Sequence, residues 1–514
     1  MATLAALTWH DVFGVIQWLF LGYFAALNGT YLLLNVVALL AIRRDSPARL
    51  AQRLPQYASG LEPPISVLAP AYNEAATIAT SVRSMLQLDY PAFEVIVIND
   101  GSKDATLQVL KDEFGLVEFP EAYRIALPVA QVHAIYRSPT HPNLRVVDKA
   151  NGGKADALNA GINASRHPLF CAVDADSILQ SDSLRRVVRP FLEDASVIAS
   201  GGTVRIANGC RVASGFLEAV GMPRSWLARV QIVEYLRAFL FGRVGWSPLN
   251  ALLIVSGAFG VFRRTAVVEA GGYRVATIGE DMELIVRLHL HHRVARRPYR
   301  IVFLADPVCW TEAPESLKVL KNQRKRWQRG LLESLWANRA LLFHRRGGAV
   351  GWLAFPAMLL FEALGPVVEI LGFVALLIGA ATGIVSWSVC LTFLVLAVGL
   401  GLMLSSFALL LEELSFHIYP RLSHLLQLSA AMLVENFGYR QLTLWWRIIG
   451  MMEWLAQRPS QWGEMQRTAG WQVAPPAARH PMTATPQVPP RNATVDADTG
   501  AAAGHGGATK VEKP

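Results

Sequence analysis

The apolar residues of this chain are not spread evenly. They gather near the start and again after residue 346, while the stretch 60–346 between them has an ordinary polar composition. That distribution requires a soluble domain held between membrane segments, because neither water nor lipid alone suits the whole chain. The run Phe13 to Ile42 is almost free of charge. As a helix it would be about 45 Å long against a hydrocarbon core of roughly 30 Å, so one tilted span fits it. A secretory signal is the competing reading. It is disfavoured because no Lys or Arg precedes the run, which is too long and lacks a clear small-residue cleavage site.

Arg43, Arg44, Arg49 and Arg53 follow this span directly, and the segment Lys318 to Arg346 is strongly basic just before the second apolar block. Both edges of the middle domain therefore read as cytoplasmic, with the amino terminus outside. The formal charge of +9 does not point to nucleic acid. Much of the excess lies beside membrane segments, where it sets topology and attracts anionic lipid, and no nucleic-acid motif accompanies it. Cys171, Cys210, Cys309 and Cys390 are widely separated and form no C-x-x-C pair, so reduced structural thiols are expected rather than zinc or disulfides. The expected organisation is an anchor at 1–44, a cytoplasmic domain at 60–346, transmembrane and interfacial helices at 347–470, and a tail at 471–514. The tail, rich in Ala, Pro, Thr and Gly, cannot bury enough surface to order itself.

Within the middle domain Ile65–Ala69, Glu94–Ile98, Leu144–Val147 and Leu169–Val173 read as strands, with helical stretches between most of them. The alternation predicts a parallel sheet covered on both faces, with ligands at the carboxyl ends of its strands. The connection from Leu116 to Asn143 contains several prolines and no clear periodicity and reads as a long insertion. Beyond Arg346, Ala349–Ile384 is too long for one straight span and is interrupted at Gly365-Pro366, which suits an interfacial helix followed by a span. Trp387–Leu411 reads as a span. Ser423–Leu455 carries Glu435, Arg440, Arg447 and Glu453 and fits either an amphipathic pair on the membrane or a span along a polar path. Glu362 and Glu369, in or near lipid, either line a sugar channel or pack against an arginine.

Polar residues of chemical interest fall at the predicted strand ends. Pro70-Ala71-Tyr72-Asn73-Glu74 follows the first strand and Asn99-Asp100-Gly101-Ser102 the second. Taken singly, each is an ordinary turn or helix cap. Asp174-Ala175-Asp176 leaves the strand Leu169–Val173, and two carboxylates so placed can bind Mg²⁺ or Mn²⁺ that takes its other oxygens from water and a diphosphate. Gly152-Gly153-Lys154 opens a helix, where free N–H groups favour anions. The Walker A and G-x-G-x-x-G spacings are both absent, so neither ATP nor NAD is inferred. Gly279-Glu280-Asp281 opens another helix, whose dipole holds an aspartate ionised and able to accept a hydroxyl proton. In Gln323-Arg324-Lys325-Arg326-Trp327, helical spacing puts Gln323, Arg326 and Trp327 on one face. A guanidinium can clamp a diphosphate there, and an indole suits a sugar ring.

In this order, and flanked by membrane segments, the Asn99-Asp100-Gly101-Ser102 turn, Asp174-Ala175-Asp176, Glu280-Asp281 and Gln323-x-x-Arg326-Trp327 resemble the processive family-two glycosyltransferases. These include cellulose, hyaluronan and poly-N-acetylglucosamine synthases. The resemblance covers roughly Ile65 to Leu342. It implies a cytoplasmic α/β domain, GT-A-like and Rossmann-like, with α-helical transmembrane segments. It further implies that Tyr72, Glu74 and Asp100 hold the uridine, that Lys154 neighbours the nucleotide, and that Asp174 supports it. Asp176 would bind the metal and Asp281 would be the general base. Gln323 and Arg326 would hold the diphosphate, Trp327 would stack on the acceptor, and Ser256, Gly257 and Glu280 would shape the acceptor pocket. The cysteine that cellulose synthases show beside Ser256-Gly257-Ala258-Phe259 is absent, and so is a following cyclic-di-GMP-binding domain. The pattern Val255–Gly260 with Gly271-Gly272-Tyr273 looks closer to poly-β-1,6-N-acetylglucosamine synthases.

The expected partners are therefore a UDP-sugar, with UDP-N-acetylglucosamine as the best match, a growing polysaccharide or lipid-linked acceptor, the bilayer, and export proteins. Transfer of one sugar to a lipid carrier and an inactive membrane scaffold are the rival expectations.

Overall fold

The computed structural model describes residues 9–44, 60, 62–213 and 216–458. Arg49, Arg53 and the expected tail 471–514 lie outside the described residues.

Four β-branched runs form the centre of the sheet: β1 (Ile65–Ala71), β2 (Phe93–Asp100), β5 (Leu144–Lys149) and β6 (Leu169–Val173). They lie side by side, with β1 between β2 and β6 and β5 outside β2, all parallel. Their residues are buried almost without break, which is why they read as continuous apolar runs rather than alternating ones. Three strands, β1, β2 and β5, run two residues further than the apolar pattern suggests, and between β2 and β5 the ladder continues through polar pairs. Asn99 lies opposite Asp148 and Asp100 opposite Lys149, and the Asn99 amide donates to the Asp148 carboxylate at 2.7 Å.

The sheet is not purely parallel. Its order is β3-β4-β5-β2-β1-β6-β11-β8-β12-β7, adding β3 (Val117–Glu118), β4 (Val132–Arg137), β7 (Ile178–Leu179), β8 (Val197–Ile206), β11 (Phe259–Arg263) and β12 (Arg300–Thr311). A separate ribbon pairs β9 (Arg211–Ala213) with β10 (Phe216–Ala219). Strand β11 runs antiparallel between β6 and β8, with Phe259 opposite Val173. The chain enters β11 from the carboxyl side of the sheet, so Ser256 and Gly257 stand at the same edge as Asp174, whose N–H donates to the Ala258 carbonyl at 3.3 Å. The expected insertion 116–143 is likewise partly sheet: β4 pairs antiparallel with β5 and β3 with β4. Most of β4 is only half-buried, and an edge of that kind carries no strong alternation.

Apolar helices stand on either side of the sheet in the sequence. Gly14–Arg44 and Trp387–Ser415 are long and apolar enough to cross a bilayer, and Val350–Ala363 with Gly365–Ala381 forms a pair bent by 48° at the Gly365-Pro366 interruption. Helices Leu422–Val434 and Arg440–Leu455 meet at a kink where Phe437 leaves helical geometry and Gly438 takes φ +94°. This is left-handed territory that suits glycine. Helix Leu317–Ala337 packs closely on Arg440–Leu455: a Cβ on Gly450 would lie 2.6 Å from the Lys325 carbonyl oxygen. Ion pairs pin the two layers together. Arg205 on β8 meets Glu412 at the end of Trp387–Ser415, both almost wholly buried, and Arg237 meets Glu435. Glu362 lies 3.3 Å from Arg447 and Glu369 pairs with Arg440. The four cysteines are free and buried.

Candidate active site

Two turns at the carboxyl ends of β1 and β2 are stitched into one surface. Asn73, at φ +56°, receives the Lys103 N–H at 2.8 Å through its side-chain oxygen, and its own N–H donates to the Ser102 hydroxyl at 3.1 Å. The Glu74 N–H donates to the Thr106 hydroxyl at 2.8 Å, and that of Ala75 to the Asp104 carboxylate at 3.1 Å. Gly101 is required twice over: its φ is +64°, and a Cβ would lie 2.7 Å from the Asn151 nitrogen. Tyr72 and Glu74 thereby face the cavity from a braced loop.

The helix start Gly152-Gly153-Lys154 does receive an anion, but the anion belongs to the chain. Asp100 accepts the Gly152 N–H at 3.0 Å and the Gly153 N–H at 2.7 Å, and Lys149 reaches its carboxylate at 2.5 Å. Lys149, fully buried, also lies 2.6 Å from Asp156. Two carboxylates compensate one buried ammonium, as burial of charge demands. Asp100 still lines the cavity, with its carboxylate committed to fixing this loop.

On the opposite wall Asp281 stands in the first turn of helix Glu280–Val294. One of its oxygens accepts the Gly257 N–H at 2.9 Å and the other its neighbour Met282's at 2.8 Å. Backbone donors thus orient the carboxylate without consuming all its lone pairs. Side chains are excluded where Gly257 passes: a Cβ there would lie 3.1 Å from Lys154 Nζ and 3.2 Å from Asp281 Oδ2.

Lys154 bridges the two walls. Its ammonium lies 2.5 Å from Asp174 and 3.5 Å from Glu280, and donates to the Gly257 carbonyl at 3.2 Å. Although burial disfavours its charge, Asp174 and Glu280 hold its pKa well above the usual lysine value. Burial pushes the Glu280 carboxyl up to about 7; Lys154 opposes this shift and the Asp281 charge adds to it.

Helix Leu317–Ala337 closes the site. It touches the loop before Asp281 backbone to backbone: a Cβ on Gly330 would lie 2.9 Å from Gly279 Cα. The Ile278 N–H donates to Glu333 at 2.9 Å and the Ser334 hydroxyl to the Gly279 carbonyl at 3.2 Å. Gln323, Arg326 and Trp327 all face the cavity, Gln323 buried and Trp327 44 % exposed.

One cavity of about 2160 Å³ is lined by Tyr72, Glu74, Asp100, Lys154, Asp174, Asp176, Ser256, Gly257, Glu280, Asp281, Gln323, Arg326 and Trp327. The three acidic turns and the Gln-Arg-Trp face therefore meet in one place. The cavity continues between the membrane helices past Tyr31, Glu362, Glu369, Asn436, Arg440 and Arg447. Glu362 and Glu369 each line the cavity and each is paired with an arginine.

The donor set limits how a metal ion could be held. Among the described residues no group of three or more His, Cys, Asp or Glu could hold one. Asp174 is engaged by Lys154, while Asp176, at the same strand end, lines the cavity and is buried. A hard cation held by one or two carboxylates and completed by diphosphate oxygens and water fits this arrangement.

Sequence reasoning missed Lys149, hidden at the end of a strand. It also missed Arg243, which lines the cavity from segment Arg237–Arg243 with its guanidinium 3.7 Å from the centre of the Phe239 ring. Burial lowers the Arg243 pKa to about 10 against the attraction of Asp281. A lone arginine far from every motif carries no sequence signal; only the fold brings it there.

Residues 66–264 match the glycosyl transferase family 2 pattern, and residues 169–404 match glycosyl transferase family group 2. Poly-beta-1,6-N-acetyl-D-glucosamine synthase of Staphylococcus epidermidis is 28% identical over 278 residues, covering 53% of this chain and 57% of that protein. The synthase of that name from Staphylococcus aureus strain COL is 31% identical over 269 residues, covering 52% and 54%. The chain thus spans about half the length of the curated relatives it matches. The mannosyltransferase PcManGT from Pyrobaculum calidifontis, solved with GDP-Man and Mn²⁺, is similar at 18% identity and a TM-score of 0.49, covering 83% of this chain and all of that one. The acid-rich cleft lies within the residues that match these two patterns, and the chain thus carries a glycosyl transferase family 2 domain.

Proposed function

We propose that this chain is an inverting, processive glycosyltransferase. It takes a sugar from a UDP-sugar, UDP-N-acetylglucosamine by preference, on the cytoplasmic face of the plasma membrane and extends a β-linked exopolysaccharide. The observation that carries the reading is the single cavity shared by the three acidic turns, the Gln-Arg-Trp helix and the membrane helices. A polymer extended at Asp281 has a polar path onward between those helices, which a single-addition enzyme does not need.

In this reading Tyr72 and Glu74 receive the uridine on the loop that Asp100 fixes. Asp174 and Lys154 set the nucleotide against the sugar, and Gln323 and Arg326 hold the diphosphate. Ser256, Gly257 and Glu280 shape the acceptor pocket and Trp327 stacks on the acceptor. Asp281 takes the proton of the acceptor hydroxyl. As the O–H bond breaks, the oxygen forms the new bond to the anomeric carbon, and the bond to the diphosphate breaks on the opposite face. UDP leaves with that electron pair, and configuration inverts. Asp176 would hold Mg²⁺ or Mn²⁺, which would supply charge stabilisation at the departing diphosphate. The preference for N-acetylglucosamine is supported by the names of the relatives.

The test is incubation of purified protein in lipid with a panel of UDP-sugars, followed by product length and linkage analysis. A long β-linked polymer from UDP-N-acetylglucosamine is expected. A product that stops at one sugar on a lipid would overturn the processive reading, and turnover of another UDP-sugar alone would overturn the donor.

A further inference from the structure

Arg324, the second residue of the Gln-Arg-Lys-Arg-Trp run, is itself buried and reaches a polar junction beside the cavity. Its guanidinium lies 2.6 Å from the Glu234 carboxylate and 3.2 Å from the Tyr439 hydroxyl, which itself donates to Glu234 at 2.8 Å. The same guanidinium lies over the Trp327 ring, 4.4 Å from its centre. A planar cation, one helical turn before the indole, thus covers part of that ring while the rest lines the cavity. Glu234 and Tyr439 also line the cavity. Tyr439 follows directly on the kink at Phe437 and Gly438 between the two last helices.

We propose that Arg324 is a positioning residue. It seats the Trp327 indole from behind and, through Tyr439, makes the tilt of that indole depend on the conformation of the kink in the membrane-side helices. Resting on the acceptor-binding reading of Trp327, this deepens the proposed function: a polymer moving between the membrane helices and the sugar stacked on Trp327 are read by one hydrogen-bonded group. The geometry favours arginine over lysine. A guanidinium can stack on indole and still donate in its own plane to a carboxylate and a phenol, whereas an ammonium is a point charge without a stacking face.

The test uses the full chain in lipid with UDP-N-acetylglucosamine and short acceptor oligosaccharides. Arg324→Lys keeps the charge, and Tyr439→Phe removes one hydroxyl that need touch no substrate, so folding is guarded twice and checked by stabilisation with UDP. A lysine ammonium bonded to Glu234 cannot at the same time lie flat on the indole, so Arg324→Lys weakens the cation–π contact and raises the acceptor KM by up to roughly thirtyfold, with shorter products and a smaller change in the KM for the UDP-sugar. Tyr439→Phe moves the same two readouts in the same direction by less. An unchanged acceptor KM and product length in both variants overturns the inference, as does an equal loss in donor and acceptor parameters, the mark of a merely structural role. If the wild type adds only one sugar, the processive reading falls by itself, and the acceptor KM ratio between Arg324→Lys and wild type still decides this one.

Discussion

Replacing Asp281 by asparagine separates its chemistry from its place in the fold. The carboxylate accepts two backbone N–H groups, from Gly257 at 2.9 Å and Met282 at 2.8 Å. Asparagine keeps one acceptor oxygen and turns an amide NH₂ toward the other donor, so one hydrogen bond is lost at about 1–3 kcal/mol. That leaves the helix start in place. The amide has no basicity, so the acceptor proton has nowhere to go as the hydroxyl attacks. Loss of one general base slows reaction by about 10² to 10⁴, equivalent to roughly 3–5 kcal/mol of barrier. The assay is UDP release by solubilised protein at saturating donor and acceptor, with UDP binding measured separately to show that the donor pocket survives. Transfer by Asp281→Asn within tenfold of wild type, with normal UDP binding, would refute the assignment of the base.

A chelator strong enough to strip divalent cations should abolish transfer, with Mg²⁺ or Mn²⁺ restoring it; full activity under chelation would remove Asp176 from its metal role. Glu280, with its folded pKa near 7 against an ordinary 4.5, keeps a proton that the unfolded chain releases, so stability falls as pH rises between those values. Thermal unfolding should show that slope in wild type and not in Glu280→Gln. Gly257→Ala places a methyl 3.1 Å from Lys154 and 3.2 Å from Asp281, and transfer should fall while UDP binding persists. Gly450→Ala drives a methyl within 2.6 Å of the Lys325 carbonyl oxygen, and the overpacking should lower stability by about 1–3 kcal/mol in a melting experiment.

Much of the site was legible because its residues sit where local patterns end. Asp100 and Asp174 stand at or directly after strands whose apolar runs are unmistakable, and Asp281 opens a helix. What escaped the sequence was whatever depends on partners distant along the chain. The direction of β11 is decided by where its incoming segment meets the sheet, and five residues such as Phe259–Arg263 carry no sign of direction. The segment 116–143 hides a strand because β4 sits half-exposed near an edge, where neither face demands a pattern. Gly152-Gly153 looked like a cradle for a ligand's anion, and only the register of β2 shows that Asp100 fills it. Spans were easier, since Gly14–Arg44 and Trp387–Ser415 each satisfy lipid on their own composition.

The meeting of Gly279 with Gly330 sets a gauge. Because main chain touches main chain there, the spacing between the start of helix Glu280–Val294 and helix Leu317–Ala337 is fixed by two bare α-carbons and no exchangeable side group intervenes. Side chains along the walls can vary, yet a substituent at either glycine would wedge the two helices apart and lengthen the gauge itself.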